Sequence, residues 1–132
     1  GTATTFNVIT EKGEFSGGAI SFGLKASADA LCQKAAKLPK IELVKPERVI
    51  GKSTIANMQS GLIYGYIGMV EYIVKKLKEE MGCPDAKVIA TGGLSEIVSS
   101  NSDVIDIVDR TLTLRGLYLL YKLNSEQGGK EL

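Results

Sequence analysis

Alternating apolar and polar positions open the chain. Residues 4–10 are rich in β-branched side chains and predict a strand. Glu11, Lys12 and Gly13 supply a turn, and residues 14–21 predict a second strand interrupted by Gly17 and Gly18. The two read as an antiparallel hairpin, in which the glycine pair allows either a bulge or a close ligand approach. The pattern then changes period. Ala26, Ala30, Leu31 and Ala35 recur at helical spacing and predict a helix over 24–37, ended by Leu38-Pro39. Residues 41–44 predict a short strand or an extended connection. Lys45-Pro46-Glu47 and Gly51-Lys52 mark a loop.

The longest periodic stretch follows. Ser53 or Thr54 makes a good N-cap. Ile55, Met58, Leu62, Met69, Val70, Ile73, Leu77 and Met81 predict one helix to about residue 81, with Gly82 as its stop. The charges from Lys75 to Glu80 read as a solvated face. Gly61, Gly65 and Gly68 lie inside this helix, and each costs about 1 kcal/mol relative to alanine. Close packing of another backbone would explain them, and so would a subunit interface. Residues 86–90 predict a buried strand that opens into Thr91-Gly92-Gly93 and a short helix over 94–99. Residues 103–108 predict a short edge strand. Thr111 or Thr113 caps a last helix to about residue 123, with Leu114, Leu117, Leu120 and Tyr121 as its apolar stripe. Residues 125–132 form a polar tail. This order of elements is an α/β layer arrangement, with residues 1–124 as one domain.

Composition narrows the chemistry. At 132 residues and 44% hydrophobic, the chain has enough apolar mass for one core. A net charge of +1 gives no electrostatic footprint for nucleic acid. No apolar run is long enough to span a membrane. Histidine is absent, which excludes histidine general-base catalysis and Ser-His-Asp triads within this segment. Cys32 and Cys83 stand far apart, outside any C-x-x-C arrangement, and read as reduced thiols of a cytosolic protein rather than zinc ligands.

Two turns carry candidate chemistry. Gly1-Thr2-Ala3-Thr4-Thr5 offers backbone N–H groups and several hydroxyls at one bend, the donors a polyphosphate needs. A strand is expected to lead into this turn, so the chain reads as part of a larger protein. Ala90-Thr91-Gly92-Gly93 follows a buried strand and precedes a helix, where two glycines let a ligand lie flat on backbone. Either turn alone serves equally well as ordinary structure. Together they suggest one ATP gripped at both ends, with phosphates near Thr2 and adenosine near Gly92.

The ordered set resembles the type III pantothenate kinases, within the actin-like ATPase superfamily. The residues that carry the resemblance begin with Gly1-Thr2-Ala3-Thr4-Thr5 and continue with Leu38-Pro39-Lys40-Ile41-Glu42-Leu43 and Lys45-Pro46. Ile50-Gly51-Lys52-Ser53-Thr54 then leads into Met58-Gln59-Ser60-Gly61, followed by Ala90-Thr91-Gly92-Gly93 and Leu112-Thr113-Leu114-x-Gly116-Leu117. The resemblance implies a C-terminal, ribonuclease H-like lobe with a mixed sheet and flanking helices. It implies a cytoplasmic homodimer joined through helix 54–81, acting on pantothenate and ATP with Mg²⁺ and a monovalent cation, K⁺ or NH₄⁺. By the same resemblance Gly1, Thr2, Thr4 and Thr5 contact the ATP phosphates, and Gly92 and Gly93 the adenosine. Thr54 contacts pantothenate in the neighbouring subunit's site. Ser53, Thr54, Gln59 and Ser60 also read as plain helix-start residues.

The chain departs from the family pattern in places. Asn7 stands where many relatives carry aspartate, and a neutral amide cannot supply a carboxylate's charge to a cation. Phe22 replaces a proline usual before Gly23. The family's catalytic aspartate, its neighbouring arginine and its cation-binding aspartate have no counterpart in this segment, so the segment alone is expected to be inactive. Two other classes fit the same pattern: a non-catalytic accessory or regulatory protein of this fold, and another sugar kinase or ATPase of the superfamily.

Overall fold

The computed structural model describes residues 2–128. Strands β1 (Ala3–Ile9) and β2 (Phe15–Phe22) form the expected antiparallel hairpin. Register slips between Val8 and Ile9, which face Gly17 and Phe15. This is the bulge that the glycine pair permitted. Gly17 takes it with φ +110°, a conformation that L side chains rarely adopt. Gly18 serves a different need, since a Cβ there would lie 1.7 Å from the Phe6 carbonyl oxygen.

Helix α1 (Leu24–Lys34) ends three residues before the expected boundary. Ala35 is already extended, and Pro39 disfavours helical backbone at Leu38. The segment from 39 to 50 forms no strand; it is an extended connection. Side chains of the long helix pin it. Gln59 Nε2 donates to the Glu42 carbonyl at 3.0 Å, Tyr64 Oη donates to the Pro46 carbonyl at 3.0 Å, and Ser60 Oγ donates to the Val49 carbonyl.

Helix α2 (Thr54–Met81) has the expected bounds. Ser53 is its N-cap and accepts from the Ala56 N–H at 3.2 Å. At the other end Gly82 turns left-handed at φ +64°, while Gly82 N–H and Cys83 N–H return to the carbonyls of Glu79 and Lys78. Strand β3 (Ile89–Ala90), helix α3 (Ser95–Ser99), strand β4 (Ile107–Val108) and helix α4 (Leu112–Gly128) complete the order. β3 and β4 pair in parallel, shorter than their apolar runs predicted.

Two clusters along α2 form the core. Phe6 packs with Val70, Val74 and Val98, and Leu24 packs with Ile63 and Ile67. The hairpin and α1 thus lie against α2.

Two expectations are corrected. The mixed sheet is two separate two-stranded sheets, because no described strand lies between β1 and β3. The final helix runs to Gly128 rather than stopping near 123, so the expected polar tail is helical as far as the described residues reach. The apolar stripe of this helix, Leu114, Leu117, Leu120 and Tyr121, is exposed among the described residues.

Candidate functional site at the ends of the two sheets

A cavity of about 800 Å³ lies between the start of β1 and the end of β3. Ala3, Thr4 and Thr5 line one side and Thr91, Gly92 and Gly93 the other, with Tyr66 and Val70 from α2. Folding therefore brings together the two turns singled out in the sequence.

The threonines differ in what holds them. Thr4 faces α2 because alternate residues of a strand share a face, and its Oγ1 lies 2.8 Å from Tyr66 Oη. This hydroxyl pair ties the start of β1 to the long helix. Thr5 points to the opposite face and is exposed. Thr2 is exposed beside the cavity, and its carbonyl accepts from Gly23 N–H at 2.9 Å. Gly1 lies outside the described residues.

Gly92 adopts φ +98°. Its carbonyl accepts from Ser95 Oγ at 2.7 Å and from Ser95 N–H at 3.2 Å. Ser95 is buried, so the turn is fixed from below while Gly92 and Gly93 stay exposed. A Cβ added at either glycine would meet no atom within 4 Å. The conformational need at Gly92 comes from its φ, not from crowding.

Behind this turn lies a charged clamp that sequence reasoning missed. Asp106 accepts from Lys87 Nζ and from Val88 N–H, each at 2.8 Å. The Lys87 hydrogen bond, then that of Val88, holds the Asp106 carboxyl below its ordinary range. The same contact raises Lys87. Asp109 accepts from Thr111 N–H at 2.9 Å and from Thr111 Oγ1 at 3.0 Å, and these bonds lower its carboxyl too. Thr111 immediately precedes α4, which settles which threonine starts that helix. Arg115 pairs with Asp109, and Arg110 with Glu96. The alternation around 103–108 gave no sign of these carboxylate roles; the aspartates at 106 and 109, flanking the apolar pair Ile107-Val108, were the available signal.

Thr54 sits elsewhere. It is the exposed first residue of α2, on a second, apolar cleft of about 410 Å³ lined by Leu31, Leu38, Asn57, Met58, Gly61 and Leu62. The two cavities share no lining residue. Asn7 is exposed on β1, and Phe22 is exposed at the end of β2. Among the described residues, no three histidine, cysteine, aspartate or glutamate side chains converge as metal ligands would.

The family model for type III pantothenate kinase matches residues 1–76. That stretch runs from the threonine turn through most of α2 and is more than half the chain. The chain belongs to the type III pantothenate kinase family. A type III pantothenate kinase from Agathobacter rectalis is 49% identical over 130 residues, 98% of this chain. The match covers 50% of that relative, so the chain spans about half its length. A solved structure of a Campylobacter jejuni protein described as a conserved Baf family transcriptional activator superposes with TM-score 0.67 at 18% identity. The likeness covers 95% of this chain and 55% of that one, and at this identity it establishes a shared fold. Family members are kinases, and the mixed α/β architecture accords with an actin-like fold. No helix among the described residues is long and apolar enough to cross a membrane.

Proposed function

We propose that this chain is the C-terminal, ribonuclease H-like lobe of an ATP-dependent pantothenate kinase. The whole enzyme makes 4′-phosphopantothenate, the first step of coenzyme A synthesis, in the cytoplasm. The observation that carries this reading is the shared cavity. Thr4 and Thr5 line it opposite Gly92 and Gly93 in a chain of this kinase family.

Phosphoryl transfer depends on positioning and on neutralising charge more than on covalent chemistry. In this reading the Thr2, Thr4 and Thr5 region supplies hydroxyl and backbone donors to the phosphate oxygens. The Gly92-Gly93 turn, held by Ser95, gives adenosine a surface free of side chains. The Thr4–Tyr66 bond fixes the first of these regions on α2, and Leu94, next to the second, packs against the cluster that Ile63 and Ile67 of α2 form with Leu24. Thr54 reaches pantothenate in a neighbouring subunit, in a homodimer joined along α2. Two observations support that arrangement: Thr54 lies away from the first cavity, and a Cβ added at Gly61, Gly65 or Gly68 would meet no described atom beyond the helix's own backbone within 4 Å. The family's Mg²⁺ and monovalent cation would offset phosphate charge. The described side chains form no cluster that fits a cation, so neither ion is assigned to residues here.

The test is ATP-dependent phosphorylation of pantothenate. The chain alone should show no turnover. The chain fused behind the half of the Agathobacter rectalis enzyme that its match leaves uncovered should show turnover. Turnover by the chain alone would refute its dependence on that half. A folded fusion that hydrolyses ATP or phosphorylates a sugar, but never pantothenate, would refute the substrate.

A further inference from the structure

Among the described residues, the buried polar side chains are those of Ser60 and Ser95. A hydroxyl is costly to bury unless it is hydrogen-bonded. Ser95 is satisfied at the Gly92 turn, where it donates to the Gly92 carbonyl. Ser60 lies inside α2 and donates to the Val49 carbonyl, 11 residues earlier in the chain. A serine inside a helix commonly returns its hydroxyl to a carbonyl one turn back. Ser60 reaches across to another segment instead. Alanine would suit both the helix and the burial better. What the hydroxyl adds at this position is the tie to Val49.

The segment that Ser60 holds leads directly into Thr54. Val49 is tied by Ser60 Oγ. Gly51 lies so close to α2 that a Cβ there would fall 2.3 Å from Asn57 Oδ1 and 2.7 Å from the Asn57 backbone nitrogen. Ser53 closes the segment as N-cap. Its Oγ accepts from the Ala56 N–H at 3.2 Å, and its carbonyl accepts from the Asn57 N–H at 2.8 Å. The residues between these contacts, Ile50 and Lys52, are exposed, as is Thr54. One side of the segment is thus fixed to α2 and the other is open. Thr54 is the first residue of the helix, where backbone N–H groups have no intrahelical partner. Its place therefore depends on the cap and on the segment that delivers the cap.

We propose that Ser60 is a positioning residue for the acceptor substrate. Its bond to Val49 holds segment 49–53 on α2, and so sets Thr54 where it meets pantothenate in the neighbouring subunit. The proposal rests on the reading of Thr54 as that contact. Ser60 itself is buried and touches no substrate. Ser95 stands in the same relation to the Gly92-Gly93 turn, so the two buried hydroxyls serve different substrates.

Steady-state kinetics test this on the fusion to the uncovered half of the Agathobacter rectalis enzyme, with pantothenate and ATP varied separately. Ser60→Ala should raise the pantothenate KM about 10-fold and leave the ATP KM and kcat within about two-fold. A merely structural role would lower kcat through loss of folded enzyme and leave both KM values in place. That result overturns the proposal. Ser95→Ala is the comparison, and should raise the ATP KM alone. An equal rise in its pantothenate KM also overturns the proposal, because the effect would then follow from losing any buried serine. Thr54→Ala sets the ceiling: if Ser60 acts through Thr54, the double variant keeps the pantothenate KM of Thr54→Ala. A further rise in the double variant overturns the proposal. Gly51→Ala crowds Asn57 and displaces the same segment without touching the core. It should reproduce the Ser60→Ala pattern even where Ser60→Ala fails to fold, and an unchanged pantothenate KM there counts against the proposal. Calorimetric titration with pantothenate is read on the same samples, and a fusion that binds without turnover should show the change in Kd. An unvaried fusion that neither binds nor phosphorylates pantothenate removes the reading of Thr54 and this proposal with it. An unvaried fusion that turns over, while both variants keep its pantothenate KM, removes the role of Ser60 alone.

Discussion

At the scale of residues, single atoms separate glycines that look alike in sequence. Gly18 has no room, because a Cβ would meet the Phe6 carbonyl oxygen at 1.7 Å. Gly18→Ala must push the hairpin apart and should cost about 1–3 kcal/mol, the range for overpacking. Gly61 has open space and helical backbone. Gly61→Ala should therefore stabilise the chain by about 0.5–1 kcal/mol in urea unfolding. The same variant should weaken a dimer joined along α2, which sedimentation of the fused enzyme would show. Gly92→Ala places a side chain at φ +98° and should cost about 1–3 kcal/mol. The Asp106 clamp makes a pH statement. Its carboxyl is lowered in the folded chain, chiefly by the Lys87 hydrogen bond and then by Val88. The folded state thus binds fewer protons there than the unfolded state, so the stabilisation is present above the ordinary carboxylate range and is lost as pH falls through the lowered value. Lys87, raised by the same partner, keeps its contribution below the ordinary lysine range and loses it as pH rises through the raised value. Asp106→Asn should flatten both limbs of a stability-against-pH curve.

At the scale of elements, agreement between sequence and structure follows how local the cause is. The hairpin, its Gly17 bulge, and the bounds and both caps of α2 come from turn chemistry and periodicity within a few residues of each feature. Those were readable. β3 and β4 shrink to two residues each because a strand's length is set by its neighbours, and β3 has a partner on one side only. The α4 stripe was read from period alone, and Leu117 and Tyr121 in it are 58% and 70% exposed. Periodicity states which residues share a face, not what covers it. It follows that Leu117→Ser should change the stability of the chain by no more than about 0.5 kcal/mol, as for surface substitutions elsewhere. A larger loss in thermal unfolding would mean that α4 packs where the structure leaves it open. The motif residues Gln59 and Ser60 show the limit of motif reading. They hold the loop after α1 through the Glu42 and Val49 carbonyls, which nothing in their spacing disclosed.

At the scale of the whole molecule, α2 organises the rest. It carries the hairpin on the Phe6–Val70–Val74 cluster, α1 on the Leu24–Ile63 cluster, and the start of β1 at Thr4 through Tyr66. The candidate nucleotide grips then fall between the two sheets, where Thr4 and Gly92 share a cavity. Among the described residues, several surfaces remain open: the second edges of β1 and β3, the glycine face of α2 and the apolar side of α4. A lobe of a larger kinase accounts for this pattern better than a self-sufficient domain does. The most direct measurement is pantothenate phosphorylation, followed with labelled ATP, by the chain alone and by its fusion to the uncovered half of the Agathobacter rectalis enzyme. The account expects no product from the chain alone and 4′-phosphopantothenate from the fusion. Product from the chain alone, or none from a folded fusion that binds ATP, would contradict it.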